Sequence, residues 1–396
     1  MALPVSQRPA LLNPEEEEEL AGRQLDSVEA SLQLWLGNTL EQEEGEAGQG
    51  EPDPATGATY TELPVLAYRM LDDALQVAAR VSDLHTQRTL QAKLTVNIFC
   101  KIISSLFHDK PKTFQVGLHQ LASFASRYKE LVRACQLMER KVAAANNCQK
   151  FQSLAQEAKT RWWKPGNHVD TDEASANYFE ELINNFEEVK DETINSLVHQ
   201  SFENTEKQFL ALFTDDWNNS FGAVEDILTH LNGNFEIFDT LTVSNYDILF
   251  SAIQDRVGIL YISAMLRRKI TFPQTTERKK AAEKIKKETS HCREFFGAVS
   301  AGKIKVRDSP FSLIDLLADI ISGDEEMLML DLMTFISKYG DVSEDQIICL
   351  LLLRGVAKTE ARQVAADVVS EFSKTNTLKT KSLMSSVEVN LSFFNL

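Results

Sequence analysis

From Val65 nearly to the end of the chain, apolar residues return every three or four positions with few breaks. That period belongs to helices packed by one face, and nothing else in the sequence constrains the fold as strongly. Leu66, Met70, Ala74, Val81 and Leu84 lead into Leu90, Leu94, Ile98, Ile102 and Leu106, and Pro111 is the first stop. Phe114, Leu118, Leu121, Tyr128, Leu131, Cys135, Met138, Val142 and Ala145 carry a second run to Trp162-Trp163, closed by Lys164-Pro165-Gly166. Asp170 with Glu173 has the pattern of a capping box and opens a third run through Phe179, Leu182, Phe186, Val189, Leu197, Phe202, Phe209 and Phe213. Helix breakers are scarce, with 16 Gly and 10 Pro in 396 residues. The chain is therefore all-α. Helices of roughly 35 to 45 residues would be about 50 to 65 Å long. Such lengths suit an elongated rod of stacked antiparallel helical bundles.

After Asp216 the predicted helices shorten: 221–231, 246–269, 276–299, 311–321, 325–339, 344–354 and 360–372. Ser343 with Gln346 is a capping box, Asp324 and Thr359 are N-cap candidates, and Gly355 stands where a C-terminal glycine cap belongs. Ahead of the helical region the first 62 residues hold fourteen Asp or Glu against two Arg, so they carry -12 of the net -17. Asn13-Pro14 starts one helix there, and 41–64 is Gly-, Pro- and Glu-rich without periodicity. The expected organisation is an acidic leader at 1–40, a linker at 41–64, a long-helix bundle at 65–216, a shorter-helix bundle at 217–373 and a disordered or loosely docked tail at 374–396.

Several function classes find no support in the residues. The five Cys form no C-x-x-C pair and read as buried thiols. Met1 leads into polar, Pro-containing sequence, so no signal peptide is expected, and the longest apolar run, Ile347 to Leu353, is far shorter than the roughly 20 residues of a membrane span. The seven His make no metal-binding pair, no nucleophile elbow occurs, and no cofactor site is expected. Gly297 to Lys303 fits G-x-x-x-x-G-K, but Ile304 stands where Ser or Thr should hold magnesium, and the motif follows a helix rather than a strand. No catalytic constellation remains.

What stands out chemically is a basic island. Leu266 to Arg307 carries thirteen Lys or Arg against four Glu, a net of +9 within an acidic protein. Arg267, Arg268 and Lys269, then Arg278, Lys279 and Lys280, then Lys284, Lys286 and Lys287 are candidates for one electropositive surface. Anionic lipid or an acidic partner would be drawn to it by summed charge. The competing reading takes the same lysines as the solvated face of a helix, interleaved with Glu277, Glu283 and Glu288 in i, i+4 pairs. Nucleic acid is disfavoured, because no aromatic residues alternate with the lysines to stack bases. The acidic leader is a charge-matched candidate to fold back on the island.

Leu266-Arg-Arg-Lys-Ile-Thr-Phe272, Glu277-Arg-Lys-Lys-Ala-Ala-Glu-Lys284 and Cys292-Arg-Glu-Phe-Phe296 resemble the C-terminal region of the exocyst complex component 3 (Sec-six type) family. Ala145-Asn-Asn-Cys148, Ser337-Lys-Tyr339 and Asp345 to Gly355 agree with it. That family includes tumour necrosis factor alpha-induced protein 2 and the exocyst component 3-like proteins, the branch this chain resembles more. The resemblance implies a non-enzymatic role in tethering vesicles for exocytosis or in membrane remodelling, cytoplasmic and peripheral at the plasma membrane. Implied partners are exocyst subunits, SNARE proteins, a Ral-type GTPase and phosphoinositide-rich lipid. The alternatives are a protein-only helical scaffold, or a regulator that competes with longer relatives.

Overall fold

The computed structural model describes residues 57–59, 69, 137–162, 172–219, 222–267, 270–375 and 382–389. Among them the regular structure is helical and no β-strand forms, as the period of three and four predicts. The chain divides into two compact units, Met1–Ser196 with Thr240–Thr242, and Leu197–Asp239 with Val243–Leu396. The leader helix, the linker apart from 57–59 and the first long helix apart from residue 69 lie outside the described residues.

In the first unit, α1 (Met138–Trp162) pairs with α2 (Asp172–Ser201). Lys141 Nζ donates to Ser196 Oγ at 2.9 Å, and Gln152 Nε2 to the Ile183 carbonyl at 3.3 Å. Advancing along α1 therefore means retreating along α2, so the pair is antiparallel. Phe151 and Phe186 stack between them with ring centroids 4.7 Å apart. Asn146, fully buried, is the polar anchor of this unit. Its amide donates to the carbonyls of Thr59 (2.8 Å) and Thr240 (2.9 Å) and its oxygen accepts from Thr242 N–H (2.9 Å). Asn146 belongs to the Ala145–Cys148 stretch that carried the family resemblance.

The second unit begins with the last turn of α2. The sequence predicts one helix continuing to Phe213, but the chain turns at Phe202–Asn204 and again after Leu212. Asn204 (φ 68) and Phe213 (φ 55) take left-handed conformations there. Two short helices result, α3 (Glu206–Ala211) and α4 (Asp215–Asn219). The apolar period persists through the turns because Phe209, Leu212, Phe213 and Trp217 all point into the core. Periodicity reports which side is buried, and it is blind to a change of axis.

Then follow α5 (Gly222–Phe238), α6 (Val243–Arg267), α7 (Thr275–Ser300), α8 (Ser309–Ser322), α9 (Leu328–Lys338), α10 (Glu344–Leu353) and α11 (Lys358–Thr375). At the centre is α6, packed against α3, α8 and α10. It is buried nearly all round, polar Asn245, Ser251, Gln254 and Ser263 included. Among the described residues it is the one helix long and apolar enough to cross a membrane, but two-thirds of its apolar window (67%) is covered by neighbouring chain. Packing makes it the core helix of a bundle. Gly258 lets α8 approach, since a Cβ there would stand 2.7 Å from Pro310 Cβ. Phe235, Phe250, Phe296 and Phe311 knit α5, α6, α7 and α8 through edge and tilted contacts of 5.4–6.3 Å.

The ends of α10 follow their local chemistry. Ser343 and Gln346 form the predicted capping box: Gln346 N–H donates to Ser343 Oγ (3.2 Å), and Ser343 N–H to Gln346 Oε1 (3.0 Å). At the other end, Val356 N–H reaches the Leu351 carbonyl and Gly355 N–H that of Leu352, each at 3.0 Å, the two bonds of a Schellman motif. Gly355 has φ +92, and a Cβ there would meet Pro273 Cα at 2.5 Å, so glycine is required twice over. The two other expected caps differ. Asp324 precedes a turn and Met327 takes the N-cap of α9, while Thr359 lies inside α11.

Of the tail, expected to be disordered or loosely docked, 382–389 is docked. A 3-10 turn, Leu383–Ser386, packs on α6 and buries Met384 and Val387. Gln346 Nε2 donates to the carbonyls of Met384 (2.8 Å) and Val387 (3.0 Å), and Asp341 accepts from Ser382 N–H (2.5 Å) and Ser385 N–H (3.2 Å). Composition alone hid this docking, because Ser, Thr and Lys around Met384 dilute the apolar signal.

Candidate functional site

Helix α7 carries most of the basic island, and its two faces have separate fates. Glu277 caps its start by accepting from Gln274 N–H at 3.1 Å. At 100° per residue, Lys279, Lys280, Glu283, Lys286, Lys287 and Glu294 share one side, and all are exposed. Arg278, Lys284, Ile285, Glu288, Cys292 and Phe296 share the other, and all are buried.

The nine candidate basic residues therefore do not form one surface. Arg278 is 6% exposed, with Nη1 donating to the Pro273 carbonyl (3.1 Å), Nη2 to Thr275 Oγ1 (3.0 Å), and Nη2 standing 3.7 Å from Glu325. Lys284 is 7% exposed, its ammonium bonded to the Trp217 carbonyl and 4.5 Å from the centre of the Trp217 ring. Both are structural, and their places inside the unit correct the expectation of surface exposure. A basic residue at the edge of an apolar face has the same helical spacing whether it snorkels outward or bonds inward, so the sequence could not separate the cases. Lys286 is exposed but pairs with Asp319 at 2.5 Å, and Arg267 lies 3.9 Å from Glu388. Arg268 and Lys269 lie outside the described residues. Lys279, Lys280 and Lys287 remain exposed without an ion pair among the described residues. Glu283 sits between them.

The pair Lys284 and Glu288, read from spacing as a surface i, i+4 contact, is a buried polar hub. Glu288 is 1% exposed; Tyr261 OH donates to its Oε2 at 2.6 Å, and Trp217 Nε1 to Oε1 (3.0 Å) and Oε2 (3.2 Å). Burial pushes the Glu288 carboxyl up to about 7, against the opposing pull of Tyr261, Lys284 and Trp217. Burial likewise raises the Cys292 thiol to about 12, and Glu288 adds to it. Tyr261 is held well above its ordinary range by burial and then by Glu288, so it stays a donor. The hub ties α4, α6 and α7 together. It offers no nucleophile paired with a base, and no opening to solvent for a substrate.

The rest of the unit is equally poor in catalytic geometry. Among the described residues no group of His, Cys, Asp or Glu is placed to hold a metal ion. A shallow groove of about 640 Å³ between α5 and α7 is lined by Glu225, Leu228, His291, Glu294 and Phe295, without a hydrogen-bonded acid–base pair. In the phosphate-loop near miss, Lys303 pairs with Asp239 at 2.9 Å and stands 5.6 Å from the Tyr246 ring. Its ammonium is occupied by the chain's own side chains.

Comparison with known proteins agrees with this all-helical architecture. The chain is 27% identical over 361 residues to exocyst complex component 3 of Drosophila melanogaster, covering 91% of this chain and 46% of that protein. The exocyst complex component 3-like proteins of Danio rerio and Homo sapiens are 21% and 22% identical, again over 91% of this chain, with 44% and 45% of theirs covered. The fly protein thus shares more with this chain than these two component 3-like relatives do, which gives no preference to that branch. The chain spans about half the length of the curated relatives it matches. The crystal structure of the C-terminal domain of the exocyst subunit Sec6p superposes with a TM-score of 0.69 at 15% identity, covering 96% of this chain and 99% of that one. That of M-Sec gives 0.66 at 14%, covering 94% and 60%. The profile of the family described as exocyst complex component Sec6 matches residues 2–358, and with nine-tenths of its length inside that match, this chain belongs to the Sec6 exocyst family.

Proposed function

We propose that this chain acts as a non-enzymatic tethering or adaptor module of exocytosis, working in the cytoplasm at the plasma membrane among exocyst subunits. The family match over 2–358 carries this reading. The helical unit, with its polar groups spent on holding helices together, supports it. Within it, Lys279, Lys280 and Lys287 on the outer side of α7 contact anionic lipid or an acidic partner. At about 1 kcal/mol per basic side chain near a charged membrane, three lysines give weak attachment that needs a second contact to persist. SNARE proteins and a Ral-type GTPase are the further partners this role calls for.

One observation favours the rival reading of a protein-only scaffold or competing regulator. Three of the island's charges, Lys284, Arg278 and Lys286, are already engaged by the chain itself, through the Trp217 carbonyl, Glu325 and Asp319. Co-sedimentation with phosphatidylserine and phosphoinositide vesicles separates the two. The variant to compare is Lys279→Glu/Lys280→Glu/Lys287→Glu, which spares the core residues Arg278 and Lys284. We expect salt-sensitive binding that the variant loses. Absence of binding by the wild type at low salt sinks the lipid contact and leaves the scaffold.

A further inference from the structure

Helix α9 has two apolar sides. Leu332, Phe335 and Ile336 face the core, packing toward α8 and α11. Leu330, on the opposite side, is 58% exposed, while Met329, beside the core side, is 43% exposed and Met327, at the N-cap, 47%. Met333, half-buried, lies between Met329 and Leu330 around the helix axis. Three of the seven exposed large hydrophobic residues among those described thus fall within four positions. Exposed large apolar residues gathered at one end of a helix mark a contact surface. Methionine suits a surface that must fit a partner's side chains, because its thioether stem is flexible and polarisable.

The charge around this face says what covers it. Asp324, Glu325 and Glu326 are exposed in the turn leading into α9, and Glu326 lies three and four positions before Met329 and Leu330, on their side of the helix. No Lys or Arg occurs from Asp308 to Ser337, a stretch with seven acidic residues. An anionic membrane would be repelled here, and so would the chain's own first 62 residues at -12. A second copy would offer the lysine side of α7, which has charge but no exposed large apolar residue to insert.

We propose that the outer face of α9 docks a basic amphipathic helix of a partner protein. Apolar residues of that helix, spaced i, i+3, i+4 and i+7, seat on Met327, Met329, Leu330 and Met333, and its flanking lysines or arginines meet Asp324 and Glu326. This surface is separate from the lysine side of α7 and stands whether or not that side meets lipid.

The test uses the full chain and fluorescein-labelled 14-residue peptides, read by fluorescence anisotropy at low and physiological salt. One peptide is a Leu/Lys helix with the stated spacing, a second replaces Lys by Glu, and a third keeps the Leu/Lys composition with the spacing destroyed. The patterned Leu/Lys peptide is expected to bind, and the other two at least tenfold more weakly. Met329→Ser/Leu330→Ser should weaken binding about tenfold or more, while thermal unfolding stays unchanged because both side chains are exposed. Glu326→Lys should weaken binding several-fold and flatten its salt dependence. Failure of the wild type to bind, undiminished affinity in the double variant, or equal binding of the Leu/Glu peptide overturns the proposal. So does light scattering that shows a dimer which the double variant converts to monomer, since the occupant is then a second copy.

Discussion

Glu288 is a residue whose environment, rather than its identity, decides its behaviour. Buried carboxyls favour the protonated form, and here Tyr261, Trp217 and Lys284 only partly offset that preference. Because the folded value, about 7, lies above the ordinary 4.5, the folded state holds the proton over a pH range in which the unfolded chain releases it. The resulting stabilisation is fully present below pH 4.5 and lost as pH rises through 7. Glu288→Gln keeps an acceptor for Tyr261 and Trp217 but removes the titration. Between pH 5 and pH 8 the wild type should therefore lose stability relative to this variant, by on the order of 2 kcal/mol. Urea midpoints measured at both values test this; parallel shifts in the two proteins would show that Glu288 does not titrate in that interval.

At the scale of elements, what was legible in the sequence followed from periodicity and caps. Helices α6 to α8 lie close to their predicted spans, α5 runs seven residues past its predicted end, and the Ser343–Gln346 box and Gly355 cap α10 as their chemistry requires. The break after Ser201 was not legible, since an inward-facing residue keeps its spacing across a turn. Nor was the division of the lysines on α7, because hydrogen bonding to Trp217 or Pro273 depends on chain distant in sequence or looped back. The docked 3-10 turn was missed for the same reason: its recognition rests on Gln346, whose buried amide reads locally as half of a capping box. Gln346→Ala leaves the carbonyls of Met384 and Val387 without that donor. A loss of about 1–3 kcal/mol is expected, together with faster hydrogen exchange across 383–387. Unchanged exchange there would mean that apolar contacts and the Asp341 hydrogen bonds hold the turn.

For the whole molecule the relevant fact is that its compact units are not consecutive in sequence. The first borrows Thr240–Thr242 from between α5 and α6, and Asn146 binds that segment at both ends. Asn146→Ala should destabilise the first unit by about 1–3 kcal/mol and deprotect the Thr242 amide, as exchange measured by mass spectrometry would register. If the Thr242 amide stays protected in the variant, the segment is held by other contacts. During synthesis, domains ordinarily mature in the order in which they leave the ribosome. This chain departs from that order: its earlier unit lacks a piece until Thr242 has emerged, by which time α5 of the later unit is already outside. Chains stalled short of that point should be digested within the first unit by added protease, and chains stalled beyond it should resist, because Asn146 closes contacts across some ninety residues.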